Sequence, residues 1–218
     1  MAHLKKKKFN NLIISCDGGA ASGKTTGAKL IAKKYKLNFL SSGMLYRYAS
    51  YLILKKKPLN QILFLKKEFK KINLHMLNRL DLNTQLISEY TSKIAKIKKI
   101  RDILKIFQVT FARKHNKCII EGRDISTKIL PFSDVKFYFI CDLETASKRR
   151  FQELKMKGHK VKLSEVKKSI KLRNKRDKKR KHSPLLKHRD ALEIHTGKLN
   201  KKQMIEKMAI HIERVMNN

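Results

Sequence analysis

A chain of 218 residues with 41% hydrophobic content can build one sizeable core and is short for two full domains. No stretch approaches the roughly 18 apolar residues of a membrane span, and the N-terminal MAHLKKKKFNN has charge but no apolar secretory core, so the chain is read as cytoplasmic with no membrane partner. Lys+Arg 54 against Asp+Glu 17 gives a net charge of +37, a field that draws nucleotides, RNA and anionic surfaces alike. The lysines lie in dispersed runs (5–8, 55–57, 66–71, 93–105, 167–181) that coincide with outer faces of expected helices. Drift toward Lys, Asn and Ile explains this, and selection for nucleic-acid binding is the alternative. Cys16, Cys118 and Cys141 fall in or beside apolar runs without a C-x-x-C pair and read as buried, reduced thiols.

In chain order, Leu12–Ser15 reads as a buried strand. It runs into Asp17-Gly18-Gly19-Ala20-Ala21-Ser22-Gly23-Lys24-Thr25, which fits G-x-x-x-x-G-K-[ST], and a helical pattern (Ala28, Ile31, Ala32, Tyr35) follows at once. Strand, glycine-rich turn and helix are the context in which backbone N–H groups and a helix N-terminus cradle phosphates. Lys24 then reaches the β- and γ-phosphates of a nucleotide, and the Thr25 hydroxyl reaches the accompanying Mg²⁺.

Leu37–Leu40 is a second strand, and Ser41-Ser42-Gly43 leads into a helix from Met44 to about Lys57, before Pro58. Residues 61–73 look helical, 74–87 are ambiguous with short strands possible, and 88–99 and 101–115 read as two helices. Cys118–Ile120 is a third strand ending in Glu121-Gly122-Arg123-Asp124, and Val135–Cys141 a fourth. A helix from about Leu143 to Lys157 is closed by Gly158. Ser164 opens a basic helix to about Arg180. Leu192–Ile194 is the last strand and 200–216 the last helix. Strands alternating with helices predict an α/β fold: a five-stranded parallel sheet flanked by helices in three layers, as in P-loop NTPases. Ligands then bind at the carboxyl ends of the strands, where GGAASGKTT, SSGMLYR and EGRD converge. No domain boundary is expected; 58–100 is an insert without a buried strand.

Arginines stand out in a chain dominated by lysine. Arg47 and Arg123 follow strand ends and Arg101 opens a helix. Arg173, Asp177 and Arg180 share one helical face. The forked guanidinium suits a phosphate held from two sides, so these residues point to a second anionic substrate opposite the loop.

With these segments in view, the chain resembles bacterial cytidylate kinases, nucleoside monophosphate kinases, nearly end to end. DGGAASGKTT, SSGMLYR, the IR of 100–101, EGRDISTKILP, LRNKRDKKRKHSPL and DAL at 190–192 carry the likeness. The resemblance implies ATP-dependent phosphorylation of CMP, and of dCMP, with Mg²⁺ held through the phosphates and Thr25. It places Gly18, Gly19, Ala20, Ala21, Ser22, Gly23, Lys24, Thr25 and Thr26 at ATP, and Ser42, Arg47 and Arg123 at CMP. Ser92 and Arg101 fall at positions that read the cytosine base. Asp124, Arg173, Asp177 and Arg180 complete the nucleotide pocket. Arg149 and Arg150, before a lid at about 156–164, supply charge to the ATP phosphates and join Lys24 and Arg123 as the catalytic set. The resemblance also implies a nucleotide-binding insert at about 58–100 and a monomer.

Departures from the family pattern are Gly19-Ala20-Ala21 in place of P-S-G, Ser41 in place of an aspartate, His195 in place of an aspartate and Ala146 in place of an arginine. Two alternatives remain open at this stage: a P-loop kinase for another small acceptor such as UMP, and an RNA-binding P-loop nucleotide sensor. The second lacks an aromatic platform for single strands, so only nonspecific RNA binding is expected.

Overall fold

A computed structural model of the chain describes residues 10–77 and 79–217. The Lys5–Lys8 run and the rest of the N-terminal segment up to residue 9 lie outside the described residues. Five strands form: β1 (Leu12–Gly18), β2 (Asn38–Ser41), β3 (Lys117–Gly122), β4 (Val135–Ile140) and β5 (Leu192–His195). They pair all in parallel in the order β2-β3-β1-β4-β5. Ile14, Cys16, Cys118, Ile119, Ile120, Phe137 and Phe139 are all buried, as a parallel sheet covered on both faces requires.

Nine helices are described: α1 (Lys24–Tyr35), α2 (Ser42–Lys56), α3 (Gln61–Lys70), α4 (Leu74–Leu77), α5 (Gln85–Ile94), α6 (Lys98–Lys114), α7 (Leu143–Met156), α8 (Leu163–Lys179) and α9 (Lys201–Val215). One face of the sheet packs on α1 and α9 through Ala28, Ile31, Met204, Met208 and Ile212. The other packs on α2 and α6 through Leu45, Ala49, Ile100, Leu104 and Phe111. The register sets Asp17 opposite Gly122, Gly18 opposite Phe139 and Ser41 opposite Glu121, so the loops after β1, β2 and β3 leave from one edge.

Several local expectations shift. The ambiguous stretch 74–87 holds no strand among the described residues: a single turn, α4, is followed by α5, whose start is fixed by the Thr84 hydroxyl accepting from the Ile87 N–H. The next helix begins at Lys98, so Arg101 sits in its first turn rather than opening it. Helix α8 starts one residue before Ser164, because the Glu165 carboxylate caps the Lys162 N–H instead. It stops before Arg180, which takes an extended backbone. Ile125–Ile129 forms a π-helical turn in a stretch to which the sequence assigns no element. Cys16 and Cys118 are buried, Cys141 is half-buried, and all three are free thiols. Among the described residues no helix is long and apolar enough to cross a membrane.

Phe137 is fully buried in the central sheet. Phe137→Ala is expected to lower unfolding free energy by about 3–5 kcal/mol, from lost transfer energy plus the residual cavity, as read by denaturant titration.

Candidate active site

The loop between β1 and α1 is shaped by two backbone demands. Gly23 adopts φ +79, a left-handed conformation that L side chains rarely take. At Gly18 a Cβ would lie 2.6 Å from the Phe139 carbonyl oxygen, so only glycine lets β1 run on beside β4. Lys24, the first residue of α1, is buried; its ammonium donates to the Gly19 carbonyl at 3.0 Å and lies 3.9 Å from the Glu121 carboxylate. Burial and then the nearby Arg123 push its pKa down to about 7. Thr25 and Thr26 are exposed on the first turn of α1, and Ser22 is buried.

Across the same sheet edge lies a half-open pocket. Ser42, Ser92, Arg101, Arg123, Asp124, Arg173, Asp177 and Arg180 all line it, with Tyr46 and Thr91. Its charges are interlocked. Arg101 pairs with Asp124 at 2.5 Å and Arg123 with Asp177 at 2.8 Å, while Arg180 lies 3.5 Å from Asp124 and 3.6 Å from Asp177. Although Arg180 stands just past α8, it therefore still joins Arg173 and Asp177. Burial works against the Asp177 carboxylate, but Arg123, Arg173 and Arg180 outweigh it and hold its pKa below the ordinary value.

Arg47 and Arg173 feel the opposite pressure. Burial, then Arg123, lowers the Arg173 pKa to about 9. Burial, then Arg150 and Arg123, lowers that of Arg47 to about 10. Positive charge here is in excess, which is the electrostatic form of a site for an anion.

Arg149 and Arg150 stand on α7 at the margin of the cleft. Arg149 donates to the Thr196 carbonyl at 2.8 Å and hydroxyl at 3.2 Å, and the Thr196 hydroxyl in turn donates to the Ser22 carbonyl of the phosphate loop. Arg150 pairs with Glu153 at 2.9 Å. Ser92 donates to the Ser88 carbonyl within α5, and Arg47 donates to the Asn83 side chain.

The departures from the family pattern are absorbed locally. Ala20 packs with Val166 and Ile170 of α8, and Ala21 joins that cluster. The Ala20 N–H donates to the Asn174 carboxamide oxygen at 2.8 Å. Ser41 caps the Met44 N–H and donates its own proton to Glu121. His195 pairs with Glu193 at 3.1 Å, and Ala146 is buried.

Reading by motif missed Asn83, Glu121, Asn174 and Thr196. Glu121 and Thr196 sit at carboxyl ends of strands, a position that marks them as near the site. Asn174 and Asn83 carry no such signal, since a single asparagine on a basic helix or in a loop looks like any surface polar residue.

This geometry agrees with the comparisons. The model of the cytidylate kinase family matches residues 14–214. The cytidylate kinase of Rickettsia conorii is 35% identical, with 98% of each chain covered. That of Rickettsia canadensis is 34% identical, covering 98% of this chain and 99% of its own. An uncharacterised protein from Eubacterium ventriosum of known crystal structure superposes with a TM-score of 0.54 at 18% identity, over 93% of this chain and 98% of its own, and speaks for the fold alone. With a family match across most of its length, the expected five-stranded parallel sheet and a phosphate loop facing an arginine-rich pocket, the chain belongs to the cytidylate kinase family.

Proposed function

We propose that the chain transfers the γ-phosphoryl group of ATP reversibly to the phosphate of CMP, and of dCMP, giving ADP and the pyrimidine nucleoside diphosphate. The observation that carries this reading is the excess of half-buried guanidinium groups facing the phosphate loop across one sheet edge. The loop 18–26 holds the ATP phosphates with its amides and Lys24. Arg47, Arg123 and Arg173 hold the acceptor phosphate, while Ser92, Arg101, Asp124, Asp177 and Arg180 hold the cytosine and pentose, with Ser42 at the floor.

The acceptor phosphate is already an anion, so no covalent intermediate and no strong general base are needed. What the side chains supply is alignment of the two phosphates and neutralisation of charge as the group passes between them. Arg149 and Arg150 add charge from α7, and the turn at about 156–164, with Gly158 at φ +79, acts as the lid that removes water. The insert at about 58–100 closes over the acceptor.

Mg²⁺ fits this donor set. Thr25 presents a hydroxyl on the exposed first turn of α1, and the Glu121 carboxylate lies close to Lys24. Such hard oxygen donors suit a cation held mainly by nucleotide phosphates, whose charge it would offset. A cytoplasmic monomer without a specific nucleic-acid partner completes the reading.

An ADP-release assay across CMP, dCMP, UMP and AMP tests it: CMP and dCMP are expected to be the best acceptors. Sequence-selective RNA binding modulated by ATP, with no phosphoryl transfer to any of them, would overturn it. Lys24→Ala is expected to lower kcat by about a hundredfold or more, as for removal of one preorganised electrostatic donor; near-normal turnover would contradict the role of the loop.

Lys24 also gives a pH signature. Free, it titrates near pH 7; beside bound phosphates its pKa rises again. Binding of MgATP at pH 8 is therefore expected to take up a large fraction of one proton, and less as the pH falls toward 6, where Lys24 is already charged. Calorimetry in buffers of different ionisation enthalpy reads this uptake directly.

A further inference from the structure

Asp17 is the last residue of β1 before Gly18, is fully buried, and has no lysine or arginine paired with it among the described residues. A buried carboxylate without a cation persists only if hydrogen bonds satisfy it. Here Oδ1 accepts the Ile125 N–H at 2.8 Å, and Oδ2 accepts the Ser126 N–H at 2.8 Å and the Ser126 hydroxyl at 2.6 Å.

Those two N–H groups open the π-helical turn Ile125–Ile129, directly after Arg123 and Asp124. The first N–H groups of a helical turn lack partners within it and need a cap. The residue in the capping position is Asp124, yet its side chain makes no cap bond. Its carboxylate is turned instead to Arg101 and Arg180 in the pocket. Burial pushes the Asp17 pKa up to about 6, and its three hydrogen bonds work against that rise.

We infer that Asp17 is a positioning residue that caps the turn after β3 from the neighbouring strand. By doing so it frees Asp124 to face the acceptor nucleotide and ties the acceptor half of the site to the strand that launches the phosphate loop. The inference rests on the proposed assignment of Arg123 and Asp124 to the acceptor. Asp17 itself touches neither substrate.

The test is steady-state kinetics of the full chain with each substrate varied in turn. In Asp17→Asn the shape is kept, but one acceptor becomes an amide N–H₂ facing the N–H of either Ile125 or Ser126. The value of kcat/KM for CMP is expected to fall about tenfold to a hundredfold, the scale of one buried donor left unpaired. The KM for MgATP is expected to change by less than about twofold, since the amides of the phosphate loop keep their geometry.

Ser126→Ala removes only the 2.6 Å hydroxyl bond and is the milder variant should Asp17→Asn fold poorly. It is expected to raise the KM for CMP by about threefold to tenfold, with that for MgATP unmoved. Ser15→Ala is the control: it lies on the same strand, but its hydroxyl is bonded to Ser133 and Val135. It should lower Tm without altering the KM for CMP.

Unchanged CMP kinetics in Ser126→Ala, or in a folded Asp17→Asn, would overturn the inference. So would an equal loss toward both substrates, or a Ser15→Ala variant that matches Asp17→Asn. Wild-type protein that fails to phosphorylate CMP would defeat the activity itself, whereas an active wild type with unmoved variants defeats the positioning role alone.

Discussion

The site depends on positive charge that the protein concentrates in a half-buried cleft without fully neutralising it. Lys24, Arg47, Arg101, Arg123, Arg173 and Arg180 crowd around Glu121, Asp124 and Asp177, and the pKa values of Lys24, Arg47 and Arg173 are depressed first by burial and then by the neighbouring guanidinium groups. Burying ions is costly unless the geometry is good and further hydrogen bonds satisfy them. The carboxylates serve this need by bridging: Asp124 lies between Arg101 and Arg180, and Asp177 between Arg123 and Arg180. They fix where each guanidinium stands and leave a net positive charge in the cleft.

The sheet brings these groups together. Because β1 lies between β3 and β4, the phosphate loop after β1 and the EGRD segment after β3 emerge side by side. Helix α8 then crosses from above, touching the phosphate loop through Asn174 and Ala20 and the EGRD segment through Asp177. One helix thus joins the two sides of the cleft. Its outer lysines are exposed, while Val166 and Ile170 face inward with Ala20. The small residues at 19–21 belong to this packing: a Cβ at Gly19 would come within 3.1 Å of Asn174. Ser41 and Glu121 form a comparable local pair, in which the hydroxyl that caps α2 also orients the carboxylate beside Lys24.

Much of this was readable beforehand for identifiable reasons. The strands were evident because a parallel sheet buried on both faces leaves unbroken apolar runs such as VKFYFI. The phosphate loop was evident because its backbone shape demands glycine and its chemistry demands Lys-Thr. The pocket arginines were evident because they broke a lysine background. What stayed hidden depends on partners distant in sequence. Capping of the turn at 125–129 comes from Asp17, over a hundred residues earlier, and nothing in the local sequence signals a π-helical turn. The start of α5 turned on a Thr84 cap that an ambiguous stretch concealed. The direction of Arg149 toward Thr196 rather than into open solvent is a tertiary matter, set by the loop after β5.

The claim that surplus guanidinium charge in the cleft recognises the acceptor is tested most directly by comparing equilibrium affinities of CMP and cytidine in calorimetry. The two share base and pentose and differ only in the phosphate. The account predicts that CMP binds at least about a hundredfold more tightly, the scale of two or more charge-assisted hydrogen bonds. It also predicts that raising the salt concentration narrows the gap. Equal affinity for the two would contradict it.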